Sequence, residues 1–162
     1  NCGIGSKDKK NNIIKNLTIV SKKIGIKKNS LILLHQIHSK KIYYINKILK
    51  KKLVGDGLIT NVNGLALGIL SADCAPILFY DSKKNVIGAV HCGWKGAYKK
   101  IAKKMISTFK RRGSKLNDIH AVIGPCISQK NYEVKNNFKR KFLNESIKNK
   151  KYFKKYKNRI FF

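Results

Sequence analysis

Residues 71–80, SADCAPILFY, and residues 86–96, VIGAVHCGWKG, are the segments from which the fold of this chain can best be predicted. Each segment joins an apolar run to a short group of polar residues. The runs ILFY and VIGAV lack polar alternation, which is typical of strands covered on both faces. We therefore predict two buried strands, with the polar residues collected at their ends, where active sites commonly form.

Further strands and helices are predicted around this pair. Apolar residues recur at helical spacing over residues 12–24 and again over 93–110, and a lysine-rich, helical segment is predicted from residue 132 onward. The stretch 148–159 is predicted to be solvated. The other strand-like segments are LILLHQIH, KIYYI, DGLIT, GLALGIL and IHAVIG. Strands and helices mix without a regular βαβ repeat, so the predicted class is α+β, a layered sheet with flanking helices, in a single domain over residues 1–162.

Lysine dominates the charge of the chain. Basic residues number 37 and acidic residues seven, a net charge of +30, yet only Arg111, Arg112, Arg140 and Arg159 are arginine. Such a surface attracts anions, including nucleic acid, in a salt-dependent way, whereas specific base and phosphate readers favour arginine. The charge reflects either a compositional bias or a polyanion-binding surface. We predict only non-specific contact with nucleic acid.

The distribution of apolar residues and cysteines bears on where the protein works. No run approaches the roughly 18 apolar residues that a membrane span requires. The four cysteines lie far apart without a CxxC pair, which is typical of free thiols in a reducing compartment. We expect a cytoplasmic protein that is a monomer or a small homo-oligomer.

Two polar segments, HQIHSKK at 35–41 and HCGWKG at 91–96, contain histidines. Alternation in an extended HQIH places Gln36 and His38 on one face and His35 on the other. We interpret His38 as a candidate ligand or base and His35 as a hydrogen-bonded core histidine. His91, at the end of NVIGAVH, is the second candidate imidazole.

Cys74, which follows Asp73, is the candidate thiolate. Two imidazoles and one thiolate suit Zn²⁺ and leave a fourth tetrahedral position open, as catalytic zinc requires. Copper is less favoured, because four histidines are too few for a multicopper centre. Two alternatives stay open: Cys74 as a small buried hydrophobe, or Cys74 as a nucleophile with His91 as its base and no metal.

Residues 93–96, GWKG, open the second predicted helix. A helix start with Lys95 favours an anion such as phosphate, and Trp94 could stack on a base. The alternative is that Trp94 anchors the core while the glycines turn the chain.

Several segments together, in this order and spacing, resemble the polyphenol-oxidase or laccase-domain (YfiH-like) family over residues 1–135: HQIHS, DGLIT, GLALGILSADCAPILFYD, AVHCGWKGAYKKI and IGPCISQKNYEV. The resemblance implies a zinc-binding domain with His38, Cys74 and His91 as its active site. It also implies phosphorolysis of adenosine, inosine, guanosine and methylthioadenosine, with adenosine deamination as a side activity.

The resemblance leaves two alternative functions open, and the chain departs from the family's pattern in two respects. Some bacterial relatives imply hydrolytic editing of peptidoglycan precursors, and a lysine-rich nucleic-acid-binding protein without catalysis is a third possibility. Gln36, Asp73, Trp94 and Lys95 are the predicted substrate and phosphate contacts. Lys95 stands where the family commonly has arginine, which costs bidentate geometry. The family's usual N-terminal and C-terminal segments are expected to be missing.

Overall fold

The computed structural model describes residues 1–162, which form two compact units, Asn1–Pro125 and Cys126–Phe162. The prediction of one domain across the whole chain stays a prediction. None of the helices is both long and apolar enough to cross a membrane. The helices are α1 Lys10–Lys23, α2 Trp94–Tyr98, α3 Ile101–Arg111 and α4 Asn136–Glu145. The strands are β1 Leu31–Ile32, β2 Ile42–Tyr44, β3 Gly57–Thr60, β4 Ala66–Leu67, β5 Ala75–Asp81, β6 Val86–Cys92, β7 His120–Ile123, β8 Glu133–Val134, β9 Lys154–Tyr156 and β10 Arg159–Phe161.

A five-stranded mixed sheet forms the centre of the first unit. Its strand order is β2-β3-β6-β5-β7, with β2 parallel to β3 and the other neighbours antiparallel. Strands β1 and β4 form a separate parallel pair. The mixed sheet and its helices confirm the predicted α+β class.

One face of this sheet, here called the helix-covered face, packs against α3. Ile59, Phe79 and Val90 of the sheet form one buried cluster with Met105 and Phe109 of α3. Helix and sheet approach closely at Gly88, where an added Cβ would lie 2.7 Å from a ring carbon of Phe109. The burial of large apolar side chains on both sides stabilises the packing of α3 on the sheet.

The other face, here called the open face, is covered over only part of its area. Leu58 of β3 is buried in a second cluster with Ile32, Leu34 and Ile45. Farther along the sheet, Leu78 of β5 is 51% exposed and Val122 of β7 60% exposed. The prediction that both faces of β5 are covered is therefore wrong. Apolar side chains also occur singly at protein surfaces, so an apolar run does not by itself show burial.

Several element boundaries differ from the predictions. LILLHQIH is a strand only at Leu31–Ile32 and continues as a loop, joined to the chain near Val54 by an isolated bridge at His35. The helix predicted over 93–110 is divided into α2 and α3, because Lys100 adopts a left-handed backbone with φ of 60°. Helix α1 forms as predicted.

The second unit combines α4 with an antiparallel sheet of order β8-β10-β9. Phe138, Phe142, Phe153 and Phe162 build its interior, with ring centroids 4.8 to 6.3 Å apart. The basic stretch 148–159 is mostly exposed, as predicted, but it also folds into a 3₁₀ turn and the β9–β10 hairpin.

Candidate metal and substrate site

Two imidazoles and one thiol converge at one end of the five-stranded sheet. The possible ligand atoms of His38, Cys74 and His91 all lie within 4.8 Å of one another. The Sγ of Cys74 is 3.8 Å from Nε2 of His38, and the two imidazole rings meet edge to face with centroids 4.7 Å apart. The structure thus brings together three residues of which the first and last, His38 and His91, are 53 positions apart in the sequence.

Strand pairing accounts for this convergence. In the β5–β6 register Pro76 lies opposite His91, so Cys74, just before β5, is carried to the end of β6. His91 follows Val90, which belongs to the helix-covered face, and alternation directs the imidazole to the open face. Gly93 leaves room for the cluster: an added Cβ would lie 2.7 Å from the Sγ of Cys74 and 2.9 Å from Cδ2 of His38.

Asp56 is the residue of this site that the sequence analysis missed. Its side chain is 0% exposed, and Oδ1 lies 2.9 Å from Nδ1 of His91. The same oxygen accepts the backbone N–H of His38 at 2.9 Å. Oδ2 accepts the backbone N–H groups of Ile37 and Ser39 and the hydroxyl of Ser39. One carboxylate therefore contacts the histidines of two different segments.

A sequence signal for Asp56 exists in its neighbours, Gly55 and Gly57. An added Cβ at Gly55 would lie 2.9 Å from the Tyr43 ring, and one at Gly57 would lie 2.6 Å from Cγ1 of Ile42. Glycines on both sides of an aspartate ordinarily indicate a turn. Here they allow the chain to pack tightly while the aspartate points inward.

The electrostatics of the site favour uncharged donors before a metal binds. Burial raises the pKa of the Cys74 thiol, and the negative charges of Asp73 and Asp56 raise it further. Burial lowers the pKa of His38, and the neighbouring His91, Lys95 and Lys99 lower it too, against an opposing effect of Asp56. A neutral imidazole is ready to bind a cation, whereas the thiol must first release its proton.

The donor set fits a tetrahedral zinc ion. Zinc–nitrogen and zinc–sulfur bonds of about 2.0–2.3 Å place tetrahedral ligand atoms about 3.3–3.6 Å apart. The separation of 3.8 Å between Cys74 Sγ and His38 Nε2 is close to this value. Small side-chain movements would thus bring all three donors into range.

A cavity of ≈ 830 Å³ opens beside the three donors, within the size range of small-molecule sites. Leu17, Val20 and Leu33 form part of its apolar wall, and Asp73 is an exposed acidic residue at its lining. Gln36 also lines the cavity, but its amide both donates to the Leu70 carbonyl at 2.7 Å and accepts the Leu70 N–H at 2.9 Å.

The remaining predicted residues lie elsewhere. Trp94 and Lys95 do not line this cavity, although Lys95 is close enough to affect the pKa of His38. The Nζ of Lys95 lies 5.6 Å from the Trp94 ring centroid. His35 is exposed rather than a core histidine, so that interpretation was wrong. Alternation assigned His35 to the face away from the site but could not show that solvent covers that face.

Known proteins resemble this chain along nearly its whole length. A family model described as multi-copper polyphenol oxidoreductase laccase matches residues 1–161. The purine nucleoside phosphorylase of Rickettsia conorii is 36% identical over 149 residues, covering 90% of this chain and 61% of the relative. The purine nucleoside phosphorylase YlmD of Bacillus subtilis is 31% identical over 144 residues, covering 83% and 52%.

Solved structures show the same fold. The crystal structure of Bacillus licheniformis hypothetical protein YfiH superimposes with a TM-score of 0.89 at 29% identity, covering 99% of this chain and 64% of that one. YlmD from Geobacillus stearothermophilus gives a TM-score of 0.82 at 25% identity, covering 89% and 57%. This chain thus spans less than two thirds of the length of each of these relatives.

Proposed function

This chain belongs to the multi-copper polyphenol oxidoreductase laccase family, and on that premise we propose that it is a zinc-dependent purine nucleoside phosphorylase. The observation that carries the proposal is the convergence of His38, Cys74 and His91 beside a cavity large enough for a nucleoside. The names of the relatives support phosphorolysis. The proposed substrates are adenosine, inosine, guanosine and methylthioadenosine, with adenosine deamination as a side activity and the cytoplasm as the compartment.

Zinc is proposed over copper despite the family's descriptive name. The chain has four histidines, and the structure brings only His38 and His91 to the site. Two imidazoles, one thiolate and no further protein ligand agree with a catalytic zinc site that keeps a coordination position open. When bound, zinc supplies a Lewis acid beside the cavity.

The protein's own side chains would bind and orient the substrates. The apolar wall around Leu17 and Leu33 accepts a purine ring, and the carboxylate of Asp73 can accept hydrogen bonds from ribose hydroxyls. Lys95 and Lys99 hold positive charge near His38 and are the proposed phosphate attractors. Helix α2 spans only five residues, so its dipole adds little to this attraction.

Phosphorolysis then requires one bond exchange. A phosphate oxygen forms a bond to the anomeric carbon of the ribose while the bond from that carbon to the purine nitrogen breaks, and the purine takes up a proton. Holding the phosphate near Lys95 and Lys99, beside His38, and the nucleoside in the cavity that His38 lines supplies the proximity that this exchange needs. In the side reaction, water adds to the adenine ring and ammonia leaves.

The metal-free alternative, with Cys74 as nucleophile and His91 as base, receives no support from the site. A nucleophilic cysteine needs a lowered pKa, whereas burial and the nearby Asp73 and Asp56 raise the pKa of Cys74. The ring nitrogen found within hydrogen-bonding distance of its sulfur, at 3.8 Å, is Nε2 of His38. Hydrolysis of peptidoglycan precursors is the reaction to assay if nucleosides are not turned over.

The test is a chromatographic assay of purified protein with adenosine and inosine, with and without phosphate, together with measurement of bound metal. We expect phosphate-dependent release of adenine and hypoxanthine and about one zinc per chain. Cys74→Ala should lose both, whereas Cys126→Ala, which changes an exposed cysteine of the second unit, should keep both. Turnover that survives Cys74→Ala, or a folded protein without phosphate-dependent release, would refute the proposal.

A further inference from the structure

The carboxylate of Asp56 is enclosed by hydrogen-bond donors from two parts of the chain. The backbone N–H groups of residues 37–39 converge on it, and the ring Nδ1 of His91 reaches it from β6. The Asp56 carbonyl also accepts the backbone N–H of His91 at 2.8 Å. Three successive N–H groups directed at one anion form a nest, a backbone concavity that favours negative charge. The anion that occupies this nest is thus the protein's own Asp56 carboxylate.

The nest explains an unusual backbone at His38. Its φ is 58°, in the left-handed region that residues with a side chain seldom adopt. Such a conformation is unfavourable by itself and persists where surrounding contacts impose it. At His38 the backbone N–H donates to Oδ1 of Asp56, and the carbonyl accepts from Nζ of Lys99 at 3.3 Å. This backbone conformation aims the His38 imidazole at Cys74.

The same carboxylate constrains the ring of His91. Because Nδ1 of His91 faces Asp56, Nε2 is the nitrogen left for the space shared with His38 and Cys74. A carboxylate that accepts from one ring nitrogen fixes both the tautomer and the rotation of an imidazole. Asp56 therefore contacts neither Cys74 nor a substrate, yet it reaches both candidate imidazole ligands.

We propose that Asp56 is the positioning residue of this site, whose single buried carboxylate orients His91 through its ring and His38 through its backbone. The proposal rests on the proposed metal site and adds to it a residue that acts only through other ligands. Because the two histidines share one carboxylate, its removal should disturb both at once. A neutral substitute cannot supply the negative charge that the nest favours, whereas a small anion can.

Zinc affinity of the full chain, measured by competition with a chromophoric chelator, tests this role. Asp56→Ala should bind zinc about 10- to 100-fold more weakly than wild type. Added formate should restore most of the loss by occupying the nest, and neutral formamide should not. Asp81→Ala is the matched control, because Asp81 is 1% exposed and accepts backbone N–H groups of Lys83 and Lys84 but lies outside the site.

A second readout, the tautomer of His91 in the wild-type protein, depends neither on metal nor on the folding of a variant. In metal-free wild-type protein at pH 8, nitrogen NMR of the imidazoles should show His91 protonated at Nδ1. Asp56→Asn, which keeps the side-chain volume, should shift this signal and should show no rescue by formate, since the amide still occupies the nest. A His91 ring protonated only at Nε2, or an Asp56→Ala variant with unchanged zinc affinity, would overturn the proposal. If His91 shows the expected tautomer but wild type binds no zinc, the proposed function fails while the positioning role holds.

Discussion

The two faces of the five-stranded sheet differ in what their side chains do. On the helix-covered face, Phe79, Met105 and Phe109 lie in a closed apolar cluster. On the open face, His91 meets Asp56 and His38, and Leu78 is half exposed farther along the sheet. Adjacent residues of one strand, Val90 and His91, therefore serve different purposes. The alternation of one strand thus separates the side chains that stabilise the sheet from those that form the candidate site.

The largest effect on stability should come from the helix-covered face. Phe109→Ala removes a ring that is 0% exposed, and we expect the free energy of unfolding to fall by about 3–5 kcal/mol. Urea denaturation measures this loss, with Leu116→Ala, at a 58% exposed side chain, as the control. The protein that remains folded should bind zinc as wild type does. A weaker zinc affinity in that folded fraction would show that the two faces are coupled.

Gly93→Ala should do the reverse of Phe109→Ala: it should weaken zinc binding strongly and change the free energy of unfolding little. The added Cβ would approach the Sγ of Cys74 and Cδ2 of His38, so zinc affinity should fall about 100-fold, equivalent to about 2.7 kcal/mol. The φ of Gly93 is −67°, which alanine adopts freely, so the free energy of unfolding should change by less than about 1 kcal/mol. Gly5→Ala, where an added Cβ meets nothing within 4 Å, is the control for chelator competition. Unchanged zinc affinity in Gly93→Ala would contradict the steric explanation.

Acid should lower the free energy of unfolding by protonating the carboxylate of Asp56. Burial tends to raise the pKa of Asp56, but the hydrogen bonds from His91, Ser39 and Ile37 outweigh it and hold the pKa below its ordinary value. The carboxylate therefore contributes stability above the unfolded-state pKa, about 3.9, and this stability is lost as pH falls through the lower folded-state pKa.

The measurement is urea denaturation of wild type and Asp56→Asn from pH 6 down to pH 2. The difference between the two should be constant above about pH 5 and should shrink below about pH 4, by at most about 1.4 kcal/mol per pH unit for one proton. Parallel curves over the whole range would mean that Asp56 titrates alike in the folded and unfolded chain.

The smallest effect should be found where the open face meets solvent. Leu78→Thr changes a side chain that is 51% exposed, so the free energy of unfolding should change by no more than about 0.5 kcal/mol. Its neighbour Ile77 is 9% exposed and lies on the helix-covered face, so Ile77→Thr should cost about 2 kcal/mol. Equal losses in the two variants would mean that both faces are covered in solution.

Patterns that depend on a single element could be predicted from the sequence. The spacing of Ile101, Met105 and Phe109 indicated the buried side of α3, and all three are 0% exposed. The left-handed residue Lys100, which separates α2 from α3, left no signal, because lysine is common throughout this chain. Local periodicity reports which side chains are apolar and does not report where a regular element is interrupted.

The residue types of the candidate site could be predicted from the sequence, but the strand register and the carboxylate that position them could not. His38, Cys74 and His91 could be singled out by their chemistry and by the resemblance to a family. Their approach depends on the β5–β6 register, which a pattern of apolar residues does not specify. Asp56 was missed because in the sequence it stands only as the first residue of the strand-like segment DGLIT, while its burial at the site depends on donors from residues 37–39 and 91.

The positive charge of the many lysines affects whether molecules associate through the edge strand β7. β7 pairs only with β5, and Val122 and Ile123 on it are 60% and 63% exposed. A free strand edge with apolar side chains is a template on which identical chains can stack. Mutual repulsion between molecules of charge +30 opposes such stacking, but the repulsion is screened over about 8 Å at physiological ionic strength. The protein should therefore store best at moderately low salt and should precipitate with polyanions that neutralise its charge.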